Sequence, residues 1–191
     1  MDYKINLFNI DTLKEISNIG TGYAATSLAS LIKEKVSMAV PDVSMPEFKH
    51  LSDCIGGAEN IVVAVLVNVS GDITGMMMYV MNEDSACSLV NNLLHSDIES
   101  AQDFGEMEVS AVTEVGNILT SSYLTAISKL LNLTIEKSVP YVSIDMAGAV
   151  LSVPAIEFGK VFDRVLFIKS EFMNHDNISG YFLLIPDYSK Q

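Results

Sequence analysis

The chain has 191 residues, of which 49% are hydrophobic and only 18% are charged, a composition typical of a compact globular protein rather than a disordered one. Its 24 acidic residues outnumber 11 basic ones, and the net charge of -13 argues against nucleic acid or an anionic membrane surface as a partner. Since no apolar run approaches the roughly 18 residues that span a bilayer and no signal-peptide pattern opens the chain, we expect a cytoplasmic protein.

The first predicted element is a long helix with Asp11 as its N-cap. Its apolar residues recur at helical spacing: Leu13, Ile16, Ile19, Ala24, Leu28 and Leu31. Pro41 prevents the helix from continuing through that position. Two strands, over residues 60–68 and 71–82, and a second helix over residues 83–95 complete the first half.

The second half repeats this order after a polar, acidic segment at residues 97–103. Its predicted elements are a long helix over residues 106–131, a short helix over 142–151 and strands over 155–171 and 178–186. We therefore predict one domain built from two repeats, about 1–99 and 100–191. The expected fold is α+β with pseudo-two-fold symmetry, in which two long helices pack on one face of an antiparallel sheet.

Both long helices carry the same polar pair. Glu15 and Asn18 recur 99 residues later as Glu114 and Asn117. The same offset superposes the flanking positions, Asp11 on Ser110 and Pro41 on Pro140. It also superposes apolar residues such as Leu13 on Val112, so the repeat includes the predicted core and is not a chance match.

A glutamate and an asparagine three residues apart share one face of a helix and can reach the same partner. A single Glu-x-x-Asn pair is usually ordinary solvated surface. Here, however, each pair sits on a largely uncharged helix. A carboxamide does not titrate near neutral pH, but its oxygen can accept a hydrogen bond from a water and fix its direction. Such positioning suits phosphoryl transfer, which needs an in-line nucleophile more than covalent help.

The pattern [Asp/Ser]-x-x-x-Glu-x-x-Asn, followed by 22 intervening residues and a proline and present twice, resembles that of the CheC/CheX/FliY phosphatases. The resemblance implies that Asn18 and Asn117 orient a water at the aspartyl-phosphate of the response regulator CheY. It also implies that Glu15 and Glu114 pair with a lysine of the regulator. In this family the Mg²⁺ ion belongs to the regulator, so we expect this chain to bind no cofactor and no metal. We also expect it to be a monomer.

The resemblance implies a second partner, the receptor deamidase CheD, at the short helix predicted over residues 142–151. Asp145 and Met146 are the candidate contacts. The alternative is that this helix only packs Met146 and Val150 into the core. The same partner gives an alternative function, a non-catalytic module that binds CheD and phosphorylated CheY.

Other motifs are weaker. The segment Gly20-x-Gly22-x-x-Ala25 matches a dinucleotide fingerprint, but it falls inside a predicted helix rather than after a strand, and close helix packing explains it better. The run Met76-Met77-Met78 places its side chains on opposite faces of a strand and predicts core filling, not a soft-metal site. No phosphate-binding Gly-x-x-x-x-Gly-Lys-[Ser/Thr] motif and no disulfide or zinc spacing occurs.

Overall fold

The computed structural model describes residues 9–158, 164–173 and 177–187. Its α-helices are α1 (Ile10–Ile32), α2 (Leu51–Cys54), α3 (Glu83–Leu94), α4 (Glu106–Leu131) and α5 (Ala147–Phe158). Short 3-10 turns cover Phe48–His50 and Ala101–Asp103. The described helices include both long helices that the sequence predicts, and α4 has the predicted bounds.

The strands are β1 (Ser37–Met38), β2 (Asp42–Ser44), β3 (Ile61–Gly71), β4 (Gly75–Asn82), β5 (Ile135–Lys137), β6 (Tyr141–Met146), β7 (Leu166–Met173) and β8 (Asn177–Pro186). They form one eight-stranded sheet in the order β1-β7-β8-β4-β3-β5, in which β2 also pairs with β7 and β6 with β3. Every pairing in it is antiparallel. The α+β prediction is confirmed.

The sheet shows the internal repeat directly. The central strands β4 and β8 pair with Met78 opposite Leu183. These residues correspond at the offset of 105 that relates Gly75 to Gly180, so the pseudo-two-fold axis passes between them. The outer strands are exchanged between the halves: β1 and β2 pair with β7, whereas β5 and β6 pair with β3. Each half therefore completes the sheet of the other.

The two long helices α1 and α4 lie on one face of the sheet, as predicted, but helices α2 and α5 cover the other face, which the sequence analysis did not predict. One core cluster packs α1, α3 and α4 against alternate residues of β3 such as Val63 and Val65. The other packs α2 and α5 against the intervening residues, such as Val62 and Leu66. Continuous apolar strands of this kind are buried on both sides. The methionine run follows the same alternation, with Met77 in the first cluster and Met76 and Met78 in the second, which confirms core filling.

The N-cap of α1 differs from the prediction. Asn9, not Asp11, caps the helix: its side-chain oxygen accepts from the Asp11 backbone N–H at 2.9 Å, and its carbonyl accepts from the Leu13 N–H at 3.0 Å. Asn and Asp are about equally good N-caps, so residue type alone could not choose between them. Asp11 lies in the first turn, where its charge favours the helix dipole.

The segment predicted as a helix over residues 142–151 is a strand as far as Met146. Strand β6 pairs with the edge of β3, and Val142 and Ile144 pack on the first core cluster. Helix α5 follows from Ala147 to Phe158, so the first residues of the strand predicted over 155–171 are helical. That prediction also crosses residues 159–163, which lie outside the described ranges. Within those ranges, no helix is both long and apolar enough to span a membrane.

Candidate functional site

Helix α1 presents the first Glu/Asn pair to solvent. Leu13, Ile16 and Ser17 are buried against the sheet, whereas Glu15 and Asn18 are exposed on the opposite side, one turn apart. No hydrogen bond engages either side chain among the described residues. The apolar stripe therefore orients the helix so that a carboxylate and a carboxamide face solvent together.

Helix α4 presents the second pair less freely. Glu114 is exposed, whereas Asn117 is half-buried, and its neighbour Gly116 lies against the sheet. A Cβ at Gly116 would come within 2.4 Å of the Val65 side chain, so only glycine lets the helix lie this close to β3. The close approach draws Asn117 toward the sheet edge.

The two pairs lie toward opposite ends of an antiparallel helix pair. The Thr21 hydroxyl is 2.8 Å from the hydroxyl of Tyr123, and the C-terminal end of α1 at Leu31 lies beside Ser110 near the start of α4. Asn117 borders one groove between the helices. Each motif is therefore on the N-terminal side of the crossing point of its own helix. The two sites can be approached separately.

The second site contains a cation that the sequence prediction missed. The Lys137 ammonium, on β5, donates a hydrogen bond to Asn117 Oδ1. Partial burial lowers the pKa of Lys137, and the negative charge of Glu114 offsets part of that effect. The sequence gives little sign of this contact, because Lys137 follows Asn117 by 20 residues and lies on a strand rather than on the same helix. The repeat does show that the two halves differ here, since the residue equivalent to Lys137 in the first half is Met38.

The supporting positions of the motif are also placed. Asp11 and Ser110 are exposed, four residues before their glutamates. Ser110 and Glu114 share an open groove with the apolar side chain of Leu31. Pro41 and Pro140 each lie directly before a strand, β2 and β6, where the missing N–H does not interrupt a sheet ladder.

Asp145 and Met146 lie apart from both pairs, at the end of β6. Both are exposed, and Asp145 Oδ1 accepts from the Met146 N–H at 2.7 Å. Of the two residues weighed as core, Val150 is buried, whereas Met146 remains 47% exposed. Among the described residues, no group of three or more His, Cys, Asp or Glu side chains could hold a metal ion.

The motif-bearing segments match a known family. The family model for the CheC-like family matches residues 8–45 and 107–144, so each match contains one motif from its first polar residue to its proline. The CheY-P phosphatase CheC of Bacillus subtilis (strain 168) is 34% identical over 184 residues, which cover 94% of this chain and 88% of the relative.

Two solved structures share the fold. FliY of Thermotoga maritima superposes with a TM-score of 0.71 at 24% identity and covers 91% of this chain and 87% of its own. A CheX–CheY complex with BeF3 and Mg²⁺ from Borrelia burgdorferi superposes with a TM-score of 0.56 at 16% identity, covering 90% of this chain and 98% of the matched chain.

Proposed function

This chain belongs to the CheC-like family, and from that premise we propose that it is a phosphatase for the aspartyl-phosphate of a CheY-type response regulator. The Bacillus subtilis relative, which carries that activity in its name, matches almost the whole chain. The observation that carries the proposal is the Glu15/Asn18 pair, which lies exposed on the solvent-facing side of α1. Because the carboxamide and the carboxylate are both exposed on one face of the helix, a protein substrate can contact both at once.

In the proposed reaction, the carboxamide of Asn18 or Asn117 positions a water in line with the phosphorus atom. The water oxygen forms a bond to phosphorus while the bond from phosphorus to the aspartyl oxygen breaks, giving inorganic phosphate and a free aspartate on the regulator. The acyl phosphate is already activated, so orientation of the nucleophile supplies most of the catalysis. This chain then needs no titrating group of its own.

The proposed role of Glu15 and Glu114 is to anchor the regulator through a lysine. Both carboxylates are exposed one turn before the asparagine, so a cation bound to the acid brings the phosphoryl group beside the carboxamide. Leu31 and Met107, which are 38% and 68% exposed near Glu114, offer apolar contact area for the same partner. By resemblance, the Mg²⁺ ion arrives with the regulator.

The experiment is phosphate release from a phosphorylated CheY-type regulator with the wild-type chain and with Asn18→Ala, Asn117→Ala and the double variant. Losing a positioning group of this kind costs about 100-fold at its site. We expect the double variant to leave only the regulator's own rate. Asn92→Ala, which removes an exposed carboxamide from α3, is the matched control and should keep full activity. Undiminished acceleration in a folded double variant would rule the proposal out.

A second candidate function is binding of the deamidase CheD at Asp145 and Met146. The observation that favours it is their exposure on the edge strand β6, close to the start of α5. Asp145→Lys reverses the charge there without touching either Glu/Asn pair. Under this alternative it abolishes binding of CheD in a pull-down assay and leaves phosphate release unchanged. We further expect the protein to be cytoplasmic and monomeric.

A further inference from the structure

The two Glu/Asn pairs differ in their surroundings, and Lys137 accounts for the difference. Its ammonium bonds to the carboxamide oxygen of Asn117 and lies within the electrostatic reach of Glu114. One side chain of this chain thus interacts with both functional groups of the second pair.

The backbone holds Lys137 firmly in this place. It is the last residue of β5, where it pairs with Val69 of β3. The next residue, Ser138, ties β5 to Asn68 twice: its N–H donates to the Asn68 carbonyl, and its hydroxyl accepts from the Asn68 N–H, each at 2.9 Å. The lysine stem therefore starts from a fixed point at the sheet edge, and its direction toward α4 is set by the strand pleat.

Among the described residues of the first half, from Asn9 onward, there is no equivalent contact. The position that corresponds to Lys137 is Met38, whose side chain packs on the first core cluster. Helix α1 does carry a lysine, Lys14, one turn before Asn18, but it is exposed and no hydrogen bond joins these two described residues. Asn18 can therefore turn freely toward a partner, whereas Asn117 is already engaged.

We propose that Lys137 restrains the second site, so that the first site, Glu15/Asn18, carries most of the turnover. The inference rests on the proposed function. Lys137 occupies the carboxamide oxygen that would direct the water, and its charge competes with the regulator's lysine for Glu114. Lys137 is a positioning residue that acts through Asn117 and Glu114, not a catalytic one. In the wild-type background, Asn18→Ala then lowers phosphate release more than Asn117→Ala.

The direct test removes Lys137 while only the second site operates. In the Asn18→Ala background, Lys137→Met installs the residue of the first half and should raise phosphate release about tenfold, the effect of freeing one charge-assisted hydrogen bond. The KM for the regulator should fall as well, because Glu114 is no longer shared. Lys137→Arg preserves the charge and should keep the low rate. Lys49→Met, which removes a lysine from the opposite face of the fold, is the charge-matched control.

Unfolding midpoints show whether each variant is folded, and Lys137→Leu replaces Lys137→Met if the latter is not. The inference is overturned if a folded Lys137→Met variant has an unchanged or lower rate at the second site. The proposed function would still stand in that case, provided that the wild-type chain is active and the Asn18/Asn117 double variant is not. A wild-type chain without any acceleration would overturn the proposed function and this inference together.

Discussion

Two glycines on one turn of α1 should respond to the same substitution with opposite signs. A Cβ at Gly20 would lie 2.8 Å from Cδ1 and 3.0 Å from Cγ of Tyr123, closer than side-chain atoms pack. A Cβ at Gly22 would meet no atom within 4 Å. Tyr123 cannot easily move aside, because its hydroxyl contacts Thr21 at 2.8 Å and its ring packs 4.0 Å from the ring of Phe182.

The expected free energies follow from these contacts. Replacing glycine by alanine inside a helix favours the helix by about 0.5–1 kcal/mol. At Gly22 nothing opposes this gain. At Gly20 the forced overlap with Tyr123 costs about 1–3 kcal/mol, so the net effect is a loss of about 1 kcal/mol. Since the helix contribution cancels between the variants, their difference of about 1–3 kcal/mol measures the overpacking alone.

Urea unfolding of Gly20→Ala, Gly22→Ala and the wild type measures both effects. We expect the midpoint to fall for Gly20→Ala and to rise for Gly22→Ala with an unchanged slope, and the melting temperature to shift by about 2–4 °C per kcal/mol for a chain of this size. Equal stability of the two variants would refute the reasoning, because it would mean that the helices do not approach as closely as Gly20 allows.

Two further predictions concern titrating groups. Burial raises the pKa of the Cys87 thiol, helped by the charges of Glu83, Asp84 and Asp103, whereas Cys54 is exposed. A thiol reagent should therefore label Cys54 in the folded protein and Cys87 at least about 10-fold more slowly, and equal rates would contradict the buried position. Burial also lowers the pKa of Lys137, so the unfolded chain binds more protons there and the wild type should gain stability relative to Lys137→Met as the pH rises toward 10.5. A stability difference that stays constant in urea titrations over that range would show that Lys137 is not desolvated.

The sequence predicted most of the helical structure because the periodicity was long and unambiguous. Helix α4 matches its predicted bounds, and the exposed side of α1 is the one on which Glu15 and Asn18 were expected. The glycine pattern at Gly20 proved to be a packing site, as expected for a segment inside a helix. The error at Asp11 was a choice between two good N-cap residues that are only two positions apart.

Two features of the structure depend on tertiary contacts that the sequence pattern does not reveal. The segment at Val142 is short and apolar, and it became a strand because the edge of β3 was available to pair with it. The bond between Lys137 and Asn117 depends on how far β5 lies from α4, a distance that no spacing in the sequence encodes. Only the comparison with Met38 marked the position as unequal between the halves.

The exchange of strands explains how the halves can differ at one site while sharing one scaffold. Helix α4 approaches β3 of the first half through Gly116, and β5, which follows α4, is hydrogen-bonded to that same strand. The second motif is therefore held by the sheet of the first half. We expect a change at Lys137 to alter the second site and to leave the common scaffold intact, which makes this position a natural place for the two sites to acquire different roles.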